Sequence, residues 1–230
     1  PPTLDTNQQL SVDEDGSSSI GNSLLQASDP EQGASDLTYA IDKLPQNGNL
    51  TLNGGKLTAG ETFTQEDINN GNLSYDHDGS ETTADSFDFS VSDGQGGTVD
   101  NQTFDIAVTA TEDAPTLDLD SDNSSGASGG DYQTSWTEGS GGIAIGDSDV
   151  AITDADSSEL QSATIQLTSR PDGNSVESLS VSSTLSEISA GSYDESTGTL
   201  ELTGNASLAD YQDAIAQIQY NNTSDTPDTS

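Results

Sequence analysis

Acidic residues two positions apart recur in turns of this sequence, and that spacing is suited to metal binding. Asp29 with Glu31 and Asp154 with Asp156 are two such pairs. Their side chains can converge on one cation, and calcium takes about six to eight oxygen ligands from carboxylates, carbonyls and water. Metals that prefer nitrogen or sulfur are disfavoured, because the chain has one His and no Cys. The pattern therefore predicts Ca²⁺ as the cofactor.

The composition excludes several classes of protein. The chain has 230 residues, of which 41 are acidic and three basic, for a formal net charge of −38. Nucleic-acid binding needs a basic surface, and disulfides need cysteine, so neither is expected. No apolar run approaches the roughly 20 residues of a membrane helix, so we expect no membrane insertion. No nucleophile motif accompanies the single His, so we expect no enzyme.

Short segments in which apolar and polar residues alternate recur between Gly- and Asn-rich turns. The low apolar content taken alone favours disorder, but a period of two over a few residues predicts strands with one buried face. Many such strands predict an all-β fold built of β-sandwiches. The predicted strands are Leu37–Ile41, Asn49–Leu52, Phe87–Val91, Phe104–Val108, Ala163–Leu167, Ser178–Val181, Thr199–Leu202 and Gln217–Tyr220.

An internal repeat predicts two tandem domains, residues 1–113 and 114–230. The matched strands are Leu37–Ile41 with Ala163–Leu167, and Gly48–Leu52 with Gly198–Leu202. The second copy carries an insertion between Gly173 and Thr197, long enough for an added pair of strands.

We predict a short helix in each copy, and Ser207 is placed to cap the second one. The second copy ends without counterparts of Phe87–Val91 and Phe104–Val108. We therefore expect its sandwich to lack the last strands, either because the chain is a fragment or because a later segment supplies them.

Several motifs carry a family resemblance. Those of the first copy are Phe63–Ile68, Leu73–Glu81, Asp85–Phe89, Val91–Gly94 and Glu112–Pro115. Through them, residues 10–115 resemble the cadherin-like repeats of large bacterial surface proteins, of the chondroitin-sulfate-proteoglycan type. The motifs of the second copy are Ala114–Asp120, Thr153–Asp156 and Leu202–Ala206. They are similar to cadherin-like units of long RTX-type adhesins, which have Ig-like sandwiches.

The resemblance implies calcium at the joint between the two units, where it would turn a flexible string into a rod. The implied ligands are Glu14, Asp85, Glu112, Asp113, Asp154 and Asp156. Asp29 and Glu31 would serve a joint with a preceding unit. The sequence departs from the family pattern in having Glu112 where Asn is common before the linker Asp. The implied function is a structural extender of an adhesin on the bacterial cell surface, with neighbouring adhesin domains as its partners.

Other interpretations stay open. The second unit could bind a glycan or peptide through Trp136 and residues 173–197, although a lone Trp is more often core or edge filler. The acidic residues could form a solubilising coat, and mineral binding is a weaker third class. His77, in an acidic turn, is expected at the surface.

Overall fold

A computed structural model of the chain describes residues 1–228. Contacts divide the chain into two compact units, Pro1–Glu112 (unit 1) and Asp113–Ser230 (unit 2). Strands dominate both units, and each unit has one short helix among its described residues. The predicted all-β fold with a short helix in each unit is confirmed. Within residues 1–228, no helix is long and apolar enough to cross a membrane.

Unit 1 contains two larger sheets and one strand pair. Its strands are β1 (Thr3–Asn7), β2 (Leu10–Asp13), β3 (Ser17–Ser19), β4 (Leu25–Ser28), β5 (Thr38–Lys43), β6 (Gly48–Leu52), β7 (Gly55–Lys56), β8 (Thr62–Thr64), β9 (Leu73–His77), β10 (Ala84–Ser92) and β11 (Thr98–Thr109). One sheet has the order β2-β11-β10-β5-β8, and the other has the order β3-β9-β6-β7, while β1 pairs with β4. The β2–β11 pair is parallel, and this brings the end of β2 beside the end of the unit.

The core of unit 1 follows the predicted alternation. On β10, Phe87, Phe89 and Val91 are buried, and their polar neighbours are more accessible. Phe87 stacks on Phe104 of β11 with ring centroids 5.1 Å apart. Twenty buried apolar residues from both larger sheets form one cluster, as expected for a sandwich.

The helix of unit 1, α1 (Gln65–Asn69), begins at a capping box. The Thr64 side chain accepts a hydrogen bond from the backbone of Asp67, and the Asp67 side chain accepts one from the backbone of Thr64. Buried Gln65 then joins the helix to the sheets, because its Oε1 accepts hydrogen bonds from the Tyr39 hydroxyl (2.6 Å) and the Ala27 amide (2.7 Å).

Unit 2 contains shorter sheets. Its strands are β12 (Thr116–Asp118), β13 (Ile143–Ala144), β14 (Ala151–Thr153), β15 (Glu159–Gln166), β16 (Glu177–Val181), β17 (Ser189–Ala190), β18 (Thr199–Ser207) and β19 (Ile218–Asn222). The sheet orders are β15-β18-β17, β13-β19-β16 and β12-β14.

The core of unit 2 is smaller than that of unit 1. Its cluster holds eleven buried apolar residues, and Tyr211 is the only aromatic residue in that set. Helix α2 (Leu208–Ala216) buries Tyr211, Ala214 and Ile215, and Ser207 caps it as predicted. Because the buried apolar set is smaller, unit 2 has less hydrophobic stabilisation than unit 1.

Strand pairing differs between the two units in a way the repeat did not predict. In unit 1, β6 pairs with β9 and β7, whereas the matched strand β18 pairs with β15 and β17. The insertion at 173–197 forms β16 and β17, but each pairs with another strand rather than with the other. The last strand among the described residues is β19.

Candidate metal centre

Glu14 is the most deeply buried of the expected calcium ligands in unit 1. It follows β2, and the parallel ladder pairs Asp13 with Thr109, so the last residues of the unit run beside it. The Thr111 amide donates to Glu14 Oε2 (3.1 Å). The residue is 7% exposed, and its Oε1 is buried with no hydrogen-bond partner. A buried carboxylate oxygen without a donor is costly, and a bound cation would remove that cost.

Glu81 is a candidate that the sequence reasoning missed. One of its carboxylate oxygens lies within 4.8 Å of one from Glu14. Glu81 is exposed and lies in the loop between β9 and β10. No spacing rule could connect it with Glu14, because the two loops meet only when the sandwich forms.

Asp85 holds a turn in this structure. Its oxygens accept hydrogen bonds from the amides of Gln46 (3.0 Å) and Asn47 (2.9 Å), and from the hydroxyl of Tyr75 (2.9 Å). Burial, followed by this bond to Asp85, raises the pKa of Tyr75. The donors around Asp85 give it a clear structural role, and its role as a calcium ligand stays a prediction. Glu112, the last residue of unit 1, is exposed.

Asp113, Asp154 and Asp156 lie together at the start of unit 2. Asp154 follows β14, and its Oδ1 accepts hydrogen bonds from the amides of Asp156 (3.0 Å) and Ser157 (2.7 Å). Asp156 Oδ2 in turn accepts one from the Asp113 amide. The D-x-D pair therefore forms a turn that holds the first residue of the unit.

Asp29 and Glu31 are also close, in the turn after β4. Asp29 Oδ1 accepts a hydrogen bond from the Glu31 amide (2.8 Å), which is the main reason that the pKa of Asp29 is lowered. Asp93, which sequence reasoning did not assign, belongs to the same group. Asp29, Glu31 and Asp93 line the same shallow pocket.

His77 is buried, so its expected surface position was wrong. It is 6% exposed, and its Nδ1 lies 3.3 Å from the amides of both Asp15 and Gly79. Its Nε2 lies 3.0 Å from the Thr82 hydroxyl. These contacts tie the β2–β3 loop, through Asp15, to the β9–β10 loop that contains Glu81, so the ring has a structural role.

Trp136 of unit 2 lies half-buried at one side of a shallow groove. Its Nε1 donates to the Gly141 carbonyl (2.8 Å), and its ring meets Tyr220 edge to face with centroids 6.3 Å apart. Tyr132 and Ile143 also line the groove, which has a volume of about 470 Å³. These contacts fit the edge-filling role expected of a lone Trp.

Comparison with known proteins defines the class of unit 1. Residues 2–108, slightly less than half of the chain, match the family model described as cadherin-like. The matched family is one of structural β domains of the adhesion type. This agrees with the sequence resemblance at the level of the domain.

Relatives of this chain are large matrix proteins. Human FRAS1-related extracellular matrix protein 1 is 33% identical over 119 residues, which cover 51% of this chain and 5% of the relative. Extracellular matrix protein 3 of Lytechinus variegatus is 47% identical over 66 residues (29% and 2%). Human chondroitin sulfate proteoglycan 4 is 35% identical over 95 residues (41% and 4%). The chain therefore spans a small part of each relative.

Proposed function

We propose that this chain is a calcium-binding structural segment of a larger extracellular protein, of the adhesion or matrix type. The cadherin-like match at residues 2–108 and relatives named as extracellular matrix proteins support the class and the location. The more specific hypothesis of an extender in a bacterial RTX-type surface adhesin is a prediction from the sequence. Its partners would then be neighbouring domains of the same polypeptide.

The observation that carries calcium binding is the unpaired Oε1 of Glu14. A buried carboxylate oxygen that has no donor destabilises the folded state, and a bound cation would remove that cost. Glu81 places a second carboxylate within 4.8 Å. Two acidic groups so close repel each other in the absence of a cation, and the oxygen-only donor set suits Ca²⁺.

The residues at the linker between the units are also acidic. Glu112 ends unit 1, and Asp113 begins unit 2 beside the Asp154–Asp156 turn. We propose that these acids bind calcium too, so that the ion restricts motion at the linker. Replacing Asp113 by Ala should then increase the flexibility of the linker in calcium without unfolding either unit. Small-angle scattering in calcium that is identical for the variant and the wild type would contradict this role.

Thermal unfolding of the full chain tests calcium binding directly. We expect addition of calcium after EDTA to raise the melting temperature, because a ligand that binds only the folded state stabilises it. Glu14→Gln should reduce the rise of the unit 1 transition. Asp105→Asn, which removes the charge of an exposed carboxylate on β11, is the matched control and should leave the rise unchanged.

A second candidate function, ligand binding by unit 2, is favoured by the groove at Trp136. Its aromatic lining of Tyr132, Trp136 and Tyr220 is chemically suited to stacking against a sugar ring. Trp136 is the only Trp in the chain, so its fluorescence reports on this groove alone. Saturable quenching by a glycan or peptide would support this function, and a purely structural segment would show none.

A further inference from the structure

Four carboxylates of unit 2 form a cluster that is separate from the ligands discussed above. Asp120 and Asp122 lie in the loop after β12, and Asp147 and Asp149 lie in the loop between β13 and β14. One oxygen from each of the four lies within 4.8 Å of the others. All four belong to unit 2, so the cluster is contained in one compact body.

Backbone hydrogen bonds hold the two loops together. The antiparallel pairing of β12 with β14 brings them to the same end of the strand pair. The Asp147 amide then donates to the Leu119 carbonyl (2.8 Å), and the Asp122 amide donates to Asp149 Oδ2 (2.8 Å). The carboxylates are therefore fixed in position by the fold rather than gathered on a flexible surface.

The first loop has the spacing of a calcium-binding loop. Asp118, Asp120 and Asp122 alternate with other residues, and the D-x-D-x-D pattern that opens the EF-hand loop is usually followed by Gly at the sharp turn. Here Asn123 takes that place with a positive φ of 56°. Asp118 is not part of the cluster, and its Oδ1 accepts a hydrogen bond from the Asp120 amide (3.0 Å). The loop between β13 and β14 supplies the other two carboxylates, Asp147 and Asp149.

Burial is a second observation that points to a cation site. Asp120 is 0% exposed, and Asp149 Oδ1 is buried with no hydrogen-bond partner. The amides of Ser125 and Ser124 donate to the Asp120 oxygens, each at 2.9 Å, and hold that carboxylate in place. Asp149 Oδ1 has no donor in its buried position, and a cation held by the cluster would pair with it.

Unit 2 has no side chain of its own to supply positive charge to the cluster. Arg170 is its only basic residue. The Arg170 guanidinium donates to the carbonyls of Glu195 and Ser196, in a different loop. No basic side chain of unit 2 therefore balances the charge of the four carboxylates.

We propose that Asp120, Asp122, Asp147 and Asp149 form a calcium site within unit 2. The donor set is oxygen only, and the Ser124 hydroxyl, which already contacts Asp147 Oδ2 at 2.9 Å, offers another oxygen. Ca²⁺ accommodates many carboxylate oxygens in irregular geometry, whereas Mg²⁺ demands near-octahedral geometry and keeps its waters. This site does not depend on the ligands proposed for Glu14 or the linker acids.

Calorimetric titration of the full chain with calcium chloride, after EDTA has been removed, tests the assignment. The double variant Asp147→Asn/Asp149→Asn keeps the side-chain shape and removes two charges, and it should bind one calcium ion fewer than the wild type. Asp213→Asn/Asp225→Asn makes the same charge change at exposed carboxylates of the same unit and should bind the wild-type number. An equal number of ions in the Asp147/Asp149 variant and the wild type would overturn the site.

Amide chemical shifts in the wild-type chain give a second readout that needs no variant. Calcium should move the amide signals of Ser124, Ser125 and Ser148, which donate to the clustered carboxylates. Shifts at these amides that persist in the Glu14→Gln variant would support the site independently of the proposed function. Signals that do not move at about 10 mM calcium, well above the usual dissociation constants of extracellular modules, would refute it.

Discussion

Replacement of Glu14 by Gln should separate the effect of the carboxylate's charge from the effect of its hydrogen bond with Thr111. Glutamine has nearly the same shape, so its amide oxygen can still accept the hydrogen bond from Thr111. The substitution removes the charge of a side chain that is 7% exposed and has one unpaired oxygen. Without calcium, unit 1 of the variant should be at least as stable as that of the wild type, because repulsion from Glu81 is gone.

The expected size of the calcium effect follows from linkage. Extracellular calcium modules bind with dissociation constants of about 10⁻⁴–10⁻³ M, so about 10 mM calcium exceeds the constant by roughly 10- to 100-fold. One such ion stabilises the folded state by about 1.4–2.7 kcal/mol. At roughly 4 °C per kcal/mol for a domain of this size, the melting temperature of unit 1 should rise by about 6–11 °C. Glu14→Gln should lose most of that rise.

Circular dichroism and calorimetric melts of the full chain measure both quantities. Each protein is melted in EDTA and then in calcium, with magnesium as a control for general screening of charge. Asp105→Asn should behave as the wild type, because its carboxylate is exposed on β11. The transition of unit 2 serves as an internal reference, since Glu14 lies in unit 1.

Two results would refute the reasoning. If Glu14→Gln shows the full calcium rise, then Glu14 is not a ligand. If Glu14→Gln destabilises the protein in EDTA by more than Asp105→Asn does, the buried carboxylate is satisfied within the protein. Its orphaned oxygen then does not indicate a cation site.

Three further outcomes are expected. Phe87→Ala should lower the free energy of unfolding of unit 1 by about 3–5 kcal/mol, because the ring is completely buried. Urea unfolding measures this, and the stability of unit 2 should be unchanged. Ser207→Ala should lower the free energy of unfolding of unit 2 by about 1 kcal/mol, because it removes the hydroxyl that accepts a hydrogen bond from the Asp210 amide at the start of α2. Urea unfolding measures this as well. Asp194 has a lowered pKa because the Ser196 hydroxyl and amide donate to it. The stability difference between the wild type and Asp194→Ala should therefore be present above about pH 4 and vanish as the pH falls through the lowered folded-state pKa.

Local patterns were sufficient to predict most of the elements. The alternation at Phe87–Val91 falls inside β10, and Ser207 caps α2 at the predicted residue. These predictions succeeded because the period of side-chain direction and the hydrogen bonds of a cap depend on residues only a few positions apart. The D-x-D turn at Asp154 is local in the same sense.

Strand partners and the metal-binding groups were harder to predict. The repeat matched β18 with β6, yet the two strands have different neighbours, because pairing depends on which edges are available after the insertion folds. Glu81 and Asp93 were not assigned, since each meets its group from a distant loop. His77 was expected at the surface, but the Asp15 and Gly79 amides surround it in the folded unit.

The sequence by itself determined that the chain folds as β-sandwiches and that its chemistry is that of carboxylates. Those properties follow from composition and short-range spacing, which any conformation of the chain retains. Only the tertiary structure decided which carboxylates become buried. It leaves Glu14 Oε1 and Asp149 Oδ1 without donors, and it closes two loops of unit 2 around Asp120. Burial and hydrogen-bond satisfaction are properties of packed neighbours, so they exist only once the strands have paired.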